Sequence, residues 1–139
     1  MLSTSEIEVK TDSGSQKVFA ENIIIATGSR PRKLDAIPFD EKVIMTSDGI
    51  SSLKEFPESL VILGAGVIGC EFATIFSNFG KTSVHLISKD ERILPFEDED
   101  MALAIEKNLE SNGVLIHRLS KLDKMEIVDG QVELSLIHI

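Results

Sequence analysis

The chain has 139 residues, room for one ordinary domain or for a small domain with part of another. A hydrophobic fraction of 42% and a mean hydropathy of +0.11 exclude a disordered polymer, and a net charge of −9 argues against nucleic acid or an anionic membrane as partner. One cysteine, Cys70, excludes an internal disulfide and a multi-cysteine metal site, and no metal is expected. The longest apolar runs, Ile23–Ala26 and Val61–Leu63, are far too short to cross a bilayer. The first residues, Met-Leu-Ser-Thr-Ser-Glu, lack the basic and apolar regions of a secretion signal, so a cytoplasmic location is expected.

Glu6–Lys10 alternates polar and apolar residues as a half-buried strand does. Thr11–Ser15 is turn chemistry, and Gln16–Ala20 is the returning strand of a hairpin. Asn22–Ala26 is a compact β-branched run, which predicts a strand buried on both faces. It stops at Thr27-Gly28-Ser29-Arg30-Pro31. Arg32 to Ser59 has little periodicity and is expected to connect two domains, with a helical turn near Asp48–Leu53. Leu60–Leu63 is a buried strand, Gly64–Gly69 a glycine-rich turn, and Val67–Phe79 an amphipathic helix closed by Gly80. Thr82–Ile87 is the next strand. Glu97–Asn112 is a second helix, its acidic start matching the helix dipole. Gly113 ends it, Val114–His117 returns as a strand, and a hairpin follows with its turn at Asp129-Gly130.

Gly64-Ala65-Gly66-Val67-Ile68-Gly69 is a GxGxxG that directly follows an apolar strand and opens a helix. That context, more than the spacing, marks a dinucleotide-binding turn. Gly64 permits the tight turn, Gly66 lets backbone approach a pyrophosphate, and Gly69 lets helix and strand pack closely. The amides of Val67 and Ile68 open the helix, where backbone N–H groups bind phosphate without any net positive charge. An acid is expected roughly 20 residues further on, to bind the adenosine ribose hydroxyls. Ser88 stands there instead, followed by Lys89, Asp90 and Glu91. Ser88 can itself meet a ribose hydroxyl, or Asp90 or Glu91 can reach it from the loop. Alternatively Lys89 and Arg92 attract a 2′-phosphate, or are merely solvated loop charge. NAD and NADP both stay open.

Three stretches carry a resemblance beyond a generic nucleotide fold. Ala26-Thr27-Gly28-Ser29-Arg30-Pro31 resembles the segment with which flavoprotein disulfide reductases close the first section of their FAD domain. Pro57–Ala73, including the glycine turn, looks like their NAD(P)-domain opening. Arg92-Ile93-Leu94-Pro95, with the acidic helix start and Asn112-Gly113-Val114, is most similar to the dihydrolipoyl dehydrogenase branch. The chain thus resembles a piece of an FAD-dependent pyridine nucleotide-disulfide oxidoreductase. Mercuric reductase, glutathione reductase-like enzymes and soluble transhydrogenase are the rivals within that class. A non-catalytic dinucleotide-binding module is the rival outside it.

The resemblance implies an α/β fold, a Rossmann-type NAD(P)-binding half-domain preceded by a β-rich piece of an FAD-binding domain. Its implied boundaries are residues 1–40 for the FAD piece, 41–58 for the connection and 59–133 for the NAD(P) piece. It also implies FAD and NAD, with NADP open, as cofactors, and a homodimer in the full-length protein. Thr27 and Gly28 are expected near the FAD, while Gly64 to Gly69 (with Ala65 among them), Ser88 and Lys89 serve the nicotinamide dinucleotide. Glu71 matches a glutamate that in such enzymes lies near the flavin–nicotinamide contact. The N-terminal FAD glycine motif, the paired redox cysteines and the C-terminal His-Glu pair are not in these residues, so no catalytic residue is assigned and the piece by itself is expected to be inactive. Cys70 reads as a packed thiol, and His85 and His117 as structural. Leu134–Ile139 matches the translation of a transposon end used to attach sequencing adapters, so 134–139 is read as a candidate non-native tail and His138 receives no role. Met1 is correspondingly read as an internal start.

Overall fold

The structure, a computed structural model, describes residues 5–32 and 34–139. The reading of Met1 lies outside the described residues. The chain divides into two compact units, the first ending at Arg30 and the second running from Pro31 to Ile139.

The first unit is a hairpin. Strands β1 (Glu6–Thr11) and β2 (Gly14–Phe19) pair antiparallel, with Glu6 opposite Phe19 and Thr11 opposite Gly14. The turn is closed by Thr11, whose hydroxyl donates to the Gly14 carbonyl at 3.1 Å. The strand predicted over Asn22–Ala26 does not form, and Ile24 and Ile25 are 90% and 83% exposed. The reason is the nature of such a strand. A segment buried on both faces needs ladder partners and covering layers, and here β1 and β2 pair only with each other. Its residues are apolar enough for a core that this unit does not supply.

In the second unit, an irregular approach precedes the sheet. The Asp40 carboxylate accepts the N–H groups of Lys42, Val43 and Ile44, each at 2.9 Å, and these bonds hold its acid below the usual carboxylate range. The expected helical turn is a short 3-10 helix over Gly49–Ser52. Then come β3 (Ser59–Leu63), α1 (Val67–Asn78), β4 (Ser83–Ile87), α2 (Glu99–Ser111) and β5 (Leu115–His117). The three strands form a parallel sheet in the order β3-β4-β5, with Leu60 opposite Val84 and Leu86 opposite Ile116. Two strand–helix–strand crossovers in one parallel sheet make this an α/β unit of the Rossmann type.

Helical periodicity sets which residues enter the core. Cys70, Ala73, Phe76 and Ser77 are the buried residues of α1, and Ala102 and Leu109 those of α2. All but Ser77 meet Val84, Leu86 and Val114 in one cluster. Leu86 and Leu109 are fully buried, and truncating either to Ala would cost about 2–5 kcal/mol. Helix α2 begins with Glu99 and Asp100 in its first turn and ends at the Asn112 cap, where Gly113 (φ +82°) turns the chain so that the Val114 N–H reaches the Leu109 carbonyl at 3.0 Å. Phe56 braces the far end of α1, its ring 5.7 Å from that of Phe76 and 4.7 Å from that of Phe79.

The last pair, β6 (Ser120–Val128) and β7 (Gln131–His138), is the expected hairpin. Its two-residue turn has positive φ at both Asp129 (50°) and Gly130 (78°), the geometry whose twist suits adjoining strands. Residues 134–138 lie in β7, and their pairing with β6 extends to Ser120 opposite His138. Among the described residues, no helix is long and apolar enough to cross a membrane.

Candidate dinucleotide-binding site

The glycine turn sits between the C-terminal end of β3 and the start of α1. Gly64 has φ +112°, a region that L side chains rarely adopt, and its N–H donates to the Ile87 carbonyl at 3.0 Å. The turn is thereby pinned to the end of β4. A Cβ on Gly69 would run into the Gly64 carbonyl oxygen and would lie 3.4 Å from Ile62 Cγ2. Two glycines are thus demanded by the protein's own geometry.

Gly66 is different. It caps α1 with φ −80° and ψ −174°, extended backbone open to any residue, and a Cβ there would meet nothing within 4 Å. Neither strain nor packing requires a glycine at this position. A glycine here leaves the backbone open to close approach by an external group such as a pyrophosphate. The first α1 bond runs from the Cys70 N–H to the Gly66 carbonyl at 3.0 Å. By helix geometry the preceding amides of Val67, Ile68 and Gly69 have no partner within the helix. Val67 and Ile68 are 53% and 57% exposed, so this end is open to a ligand. The residues present fit a dinucleotide phosphate.

A second segment braces the turn from behind. Ala65 is buried, and its carbonyl accepts the Leu94 N–H at 2.8 Å and the Cys70 thiol at 3.7 Å. Leu94 takes φ +49° to make its bond. The Arg92-Ile93-Leu94-Pro95 stretch, singled out above as a family mark, is therefore a clamp on the glycine turn. Cys70 is a free thiol, 4% exposed, and burial pushes its pKa up to about 11. It packs in the core cluster, and a desolvated thiol is a poor nucleophile.

Ser88 directly follows β4 and is 3% exposed. Its N–H donates to the His117 carbonyl and its carbonyl accepts the Ser120 N–H, both at 2.8 Å. The hydroxyl closes a turn with Asp90, donating to the Asp90 carbonyl at 3.0 Å and accepting the Asp90 N–H at 3.2 Å. Lys89 is exposed, and so is Glu71 on the first turns of α1. Thr27 and Gly28 belong to the first unit, where both are exposed and Gly28 has φ +79°.

One relationship escaped sequence reading. His85 Nδ1 and His117 Nε2 lie 3.1 Å apart with the rings 13° from parallel. One imidazole donates to the other, so neither is without a partner. Burial first, then the neighbouring His85 and His138, hold the His117 pKa below its usual value. Only the register of β4 against β5, with Ile87 opposite His117, places the two rings together. Among the described residues, no group of three or more His, Cys, Asp or Glu side chains could hold a metal ion.

A glycine turn between a parallel strand and a helix, with open amides and a packing-free capping glycine, defines the class: dinucleotide-binding α/β proteins. Residues 3–137 match the model of the pyridine nucleotide-disulphide oxidoreductase family, and the chain belongs to that family. It is 39% identical over 125 residues to dihydrolipoyl dehydrogenase of Bacillus subtilis, covering 90% of this chain and 27% of the relative. It is 41% identical over 133 residues to the soluble pyridine nucleotide transhydrogenase of Pseudomonas syringae pv. syringae, covering 96% and 28%. In solved structures it is similar to LpdA of Mycobacterium tuberculosis, with a TM-score of 0.77 at 26% identity over 94% of this chain and 28% of that one. The HOCl-induced flavoprotein disulfide reductase RclA of Escherichia coli gives a TM-score of 0.65 at 30% identity, covering 97% and 30%. The chain therefore spans under a third of the length of these relatives.

Proposed function

We propose that this chain is part of a flavoprotein oxidoreductase, dihydrolipoyl dehydrogenase-like, and that its glycine turn holds the pyrophosphate of the nicotinamide dinucleotide. The observation that carries this reading is Gly66, a helix-capping glycine with ordinary backbone angles and nothing within 4 Å of a would-be Cβ. Bound FAD and nicotinamide supply electron and hydride transfer between a dithiol or disulfide and NAD(P)(H). The chain's own part is binding and positioning. Amides of Val67, Ile68 and Gly69 receive phosphate oxygens at the positive end of α1. Leu94 holds the turn in shape through Ala65. Glu71, exposed near the start of α1, is assigned by resemblance to the flavin–nicotinamide contact. Thr27 and Gly28 are assigned to the FAD side, the first 40 residues to an FAD domain, and residues 59–133 to the NAD(P) domain. The full-length protein is proposed to be a cytoplasmic homodimer.

The test is spectroscopic. Protein expressed from the complete reading frame should carry bound flavin that NADH or NADPH bleaches anaerobically and that lipoamide reoxidises. A colourless protein, or a flavin inert to both nucleotides, would overturn the reading. A second reading within the class, soluble transhydrogenase, is favoured by the 41% identity over 133 residues. Reduction of an NAD analogue by NADPH with no dithiol substrate present would select it.

A further inference from the structure

We propose that His85 and His117 together bind a divalent late transition-metal ion, copper(II) in preference to zinc(II), on the face of the parallel sheet turned away from the helices. Nothing in this rests on the dinucleotide reading. The sequence led to an expectation of no metal, because neither histidine has a partner nearby in the chain. Strand register supplies one. Val84 and Leu86 belong to the core cluster and Ile116 packs against it, so alternation along β4 and β5 turns His85 and His117 to the opposite face. Both are half-buried and so within reach of solvent. They share that face with Val61 and Leu115, the residues opposite His85 on its two neighbouring strands.

The spacing suits two ligands of one ion. A first-row ion bonds imidazole nitrogen at about 2.0–2.1 Å, so two nitrogens set at about 90–110° around it stand about 2.8–3.4 Å apart. His85 Nδ1 and His117 Nε2 are 3.1 Å apart. The ring centroids lie 5.3 Å from each other, close to the most that such a nitrogen contact allows, so the near-parallel rings meet nitrogen to nitrogen and not face to face. Their lone-pair directions therefore converge already, and a turn of each ring aims both at one point. No proton has to leave the pair. The imidazole that now donates shifts its hydrogen to its outer nitrogen, His85 Nε2 or His117 Nδ1, and neither of these is engaged in another hydrogen bond. Because both side chains stand on paired strands, the backbone spacing is fixed before an ion arrives.

The number of donors chooses the ion. Among the described residues no third His, Cys, Asp or Glu side chain completes a metal-holding group with these two, so water fills the remaining positions. Zinc sites take three or four protein ligands, and this pair falls short of both. Copper(II) stands at the top of the affinity order for nitrogen donors, and imidazole suits it, so two rings and water can hold it where they would hold zinc weakly.

The experiment is titration of the oxidised full-length protein, its proposed dithiol closed, with copper(II) and with zinc(II). Calorimetry counts the equivalents, and electron spin-echo spectroscopy detects the remote nitrogens of coordinated imidazoles. The expected result is one copper(II) equivalent with two imidazoles, bound at least about tenfold tighter than zinc(II). His85→Gln and His117→Gln should each weaken that equivalent by about tenfold or more and remove the two-imidazole signature. If these variants do not fold, anomalous scattering from copper-soaked crystals of the parent decides, with a peak between the two rings as the expected outcome. Copper binding unchanged in both variants, zinc(II) bound as tightly as copper(II), or no anomalous peak between the rings overturns the proposal. Flavin bleaching by NADH is untouched by any of these outcomes, so the dinucleotide reading stands or falls separately.

Discussion

The carbonyl oxygen of Gly64 occupies the place where a Cβ on Gly69 would have to stand. The two residues bracket the turn, and the contact is with backbone, so no flexible side chain can swing aside. Gly69→Ala should therefore act on folding. Crowding of this kind costs about 1–3 kcal/mol, visible as a lower midpoint in denaturant melts of the apoprotein.

Gly66→Ala should do the reverse. Its backbone angles are ordinary and the space around its would-be Cβ is empty, so the melt should barely change. Nucleotide affinity should fall by about tenfold or more, because the added methyl stands where a pyrophosphate must approach. Comparing the two variants by melt and by NADH titration separates a glycine needed for packing from one needed for a ligand.

Cys70 should be slow to alkylate. With its pKa at about 11, roughly one part in a thousand is thiolate at pH 8. Iodoacetamide labelling of the folded protein should rise only above about pH 10, whereas urea-unfolded protein should label readily near pH 9. The linkage has a definite sign. A thiol pKa raised by folding contributes stability that is fully present below pH 9.0, its ordinary value, and is lost as the pH climbs toward 11. Cys70→Ala should remove that alkaline dependence.

The His85–His117 pair should respond to acid. Folding lowers the His117 pKa, so the unfolded chain binds its proton more readily, and stability should fall as the pH drops below the ordinary value of 6.5. Heteronuclear NMR titration should find the His117 midpoint below the ordinary value of 6.5. His85→Asn, which removes one like charge, should move the His117 titration upward, and an unchanged midpoint would show that burial and His138 set it without His85.

The βαβ core was legible because each signal in it is local. Leu60–Leu63 is apolar, Gly64 needs a positive φ, α1 carries its apolar residues at helical spacing, and Gly80 and Gly113 turn the chain at positive φ after their helices. The ends moved by only a residue or two, as with the second helix, expected over Glu97–Asn112 and found over Glu99–Ser111. Ile23–Ile25 misled for a physical reason. Apolar β-branched residues state that a segment wants burial, yet a strand also needs neighbours, and these hydrogen-bonding partners are not encoded in the segment itself. The clamp of Leu94 on Ala65 was unreadable for a related reason: a backbone-to-backbone bond between two distant stretches of the chain leaves no mark in side-chain type.

By itself, the sequence determined the strand, turn and helix that make the candidate nucleotide site, because backbone angle and periodicity are properties of neighbouring residues. It also located Ser88 as the missing acid. Only the tertiary structure decided what Ser88 can do, since its hydroxyl is consumed by Asp90 and its backbone by His117 and Ser120. The same holds for the buried Arg92 Nη1, which has no hydrogen-bond partner, and for two histidines 32 positions apart that share a hydrogen bond. Burial and pairing across strands depend on register and packing, which no single stretch of the chain contains.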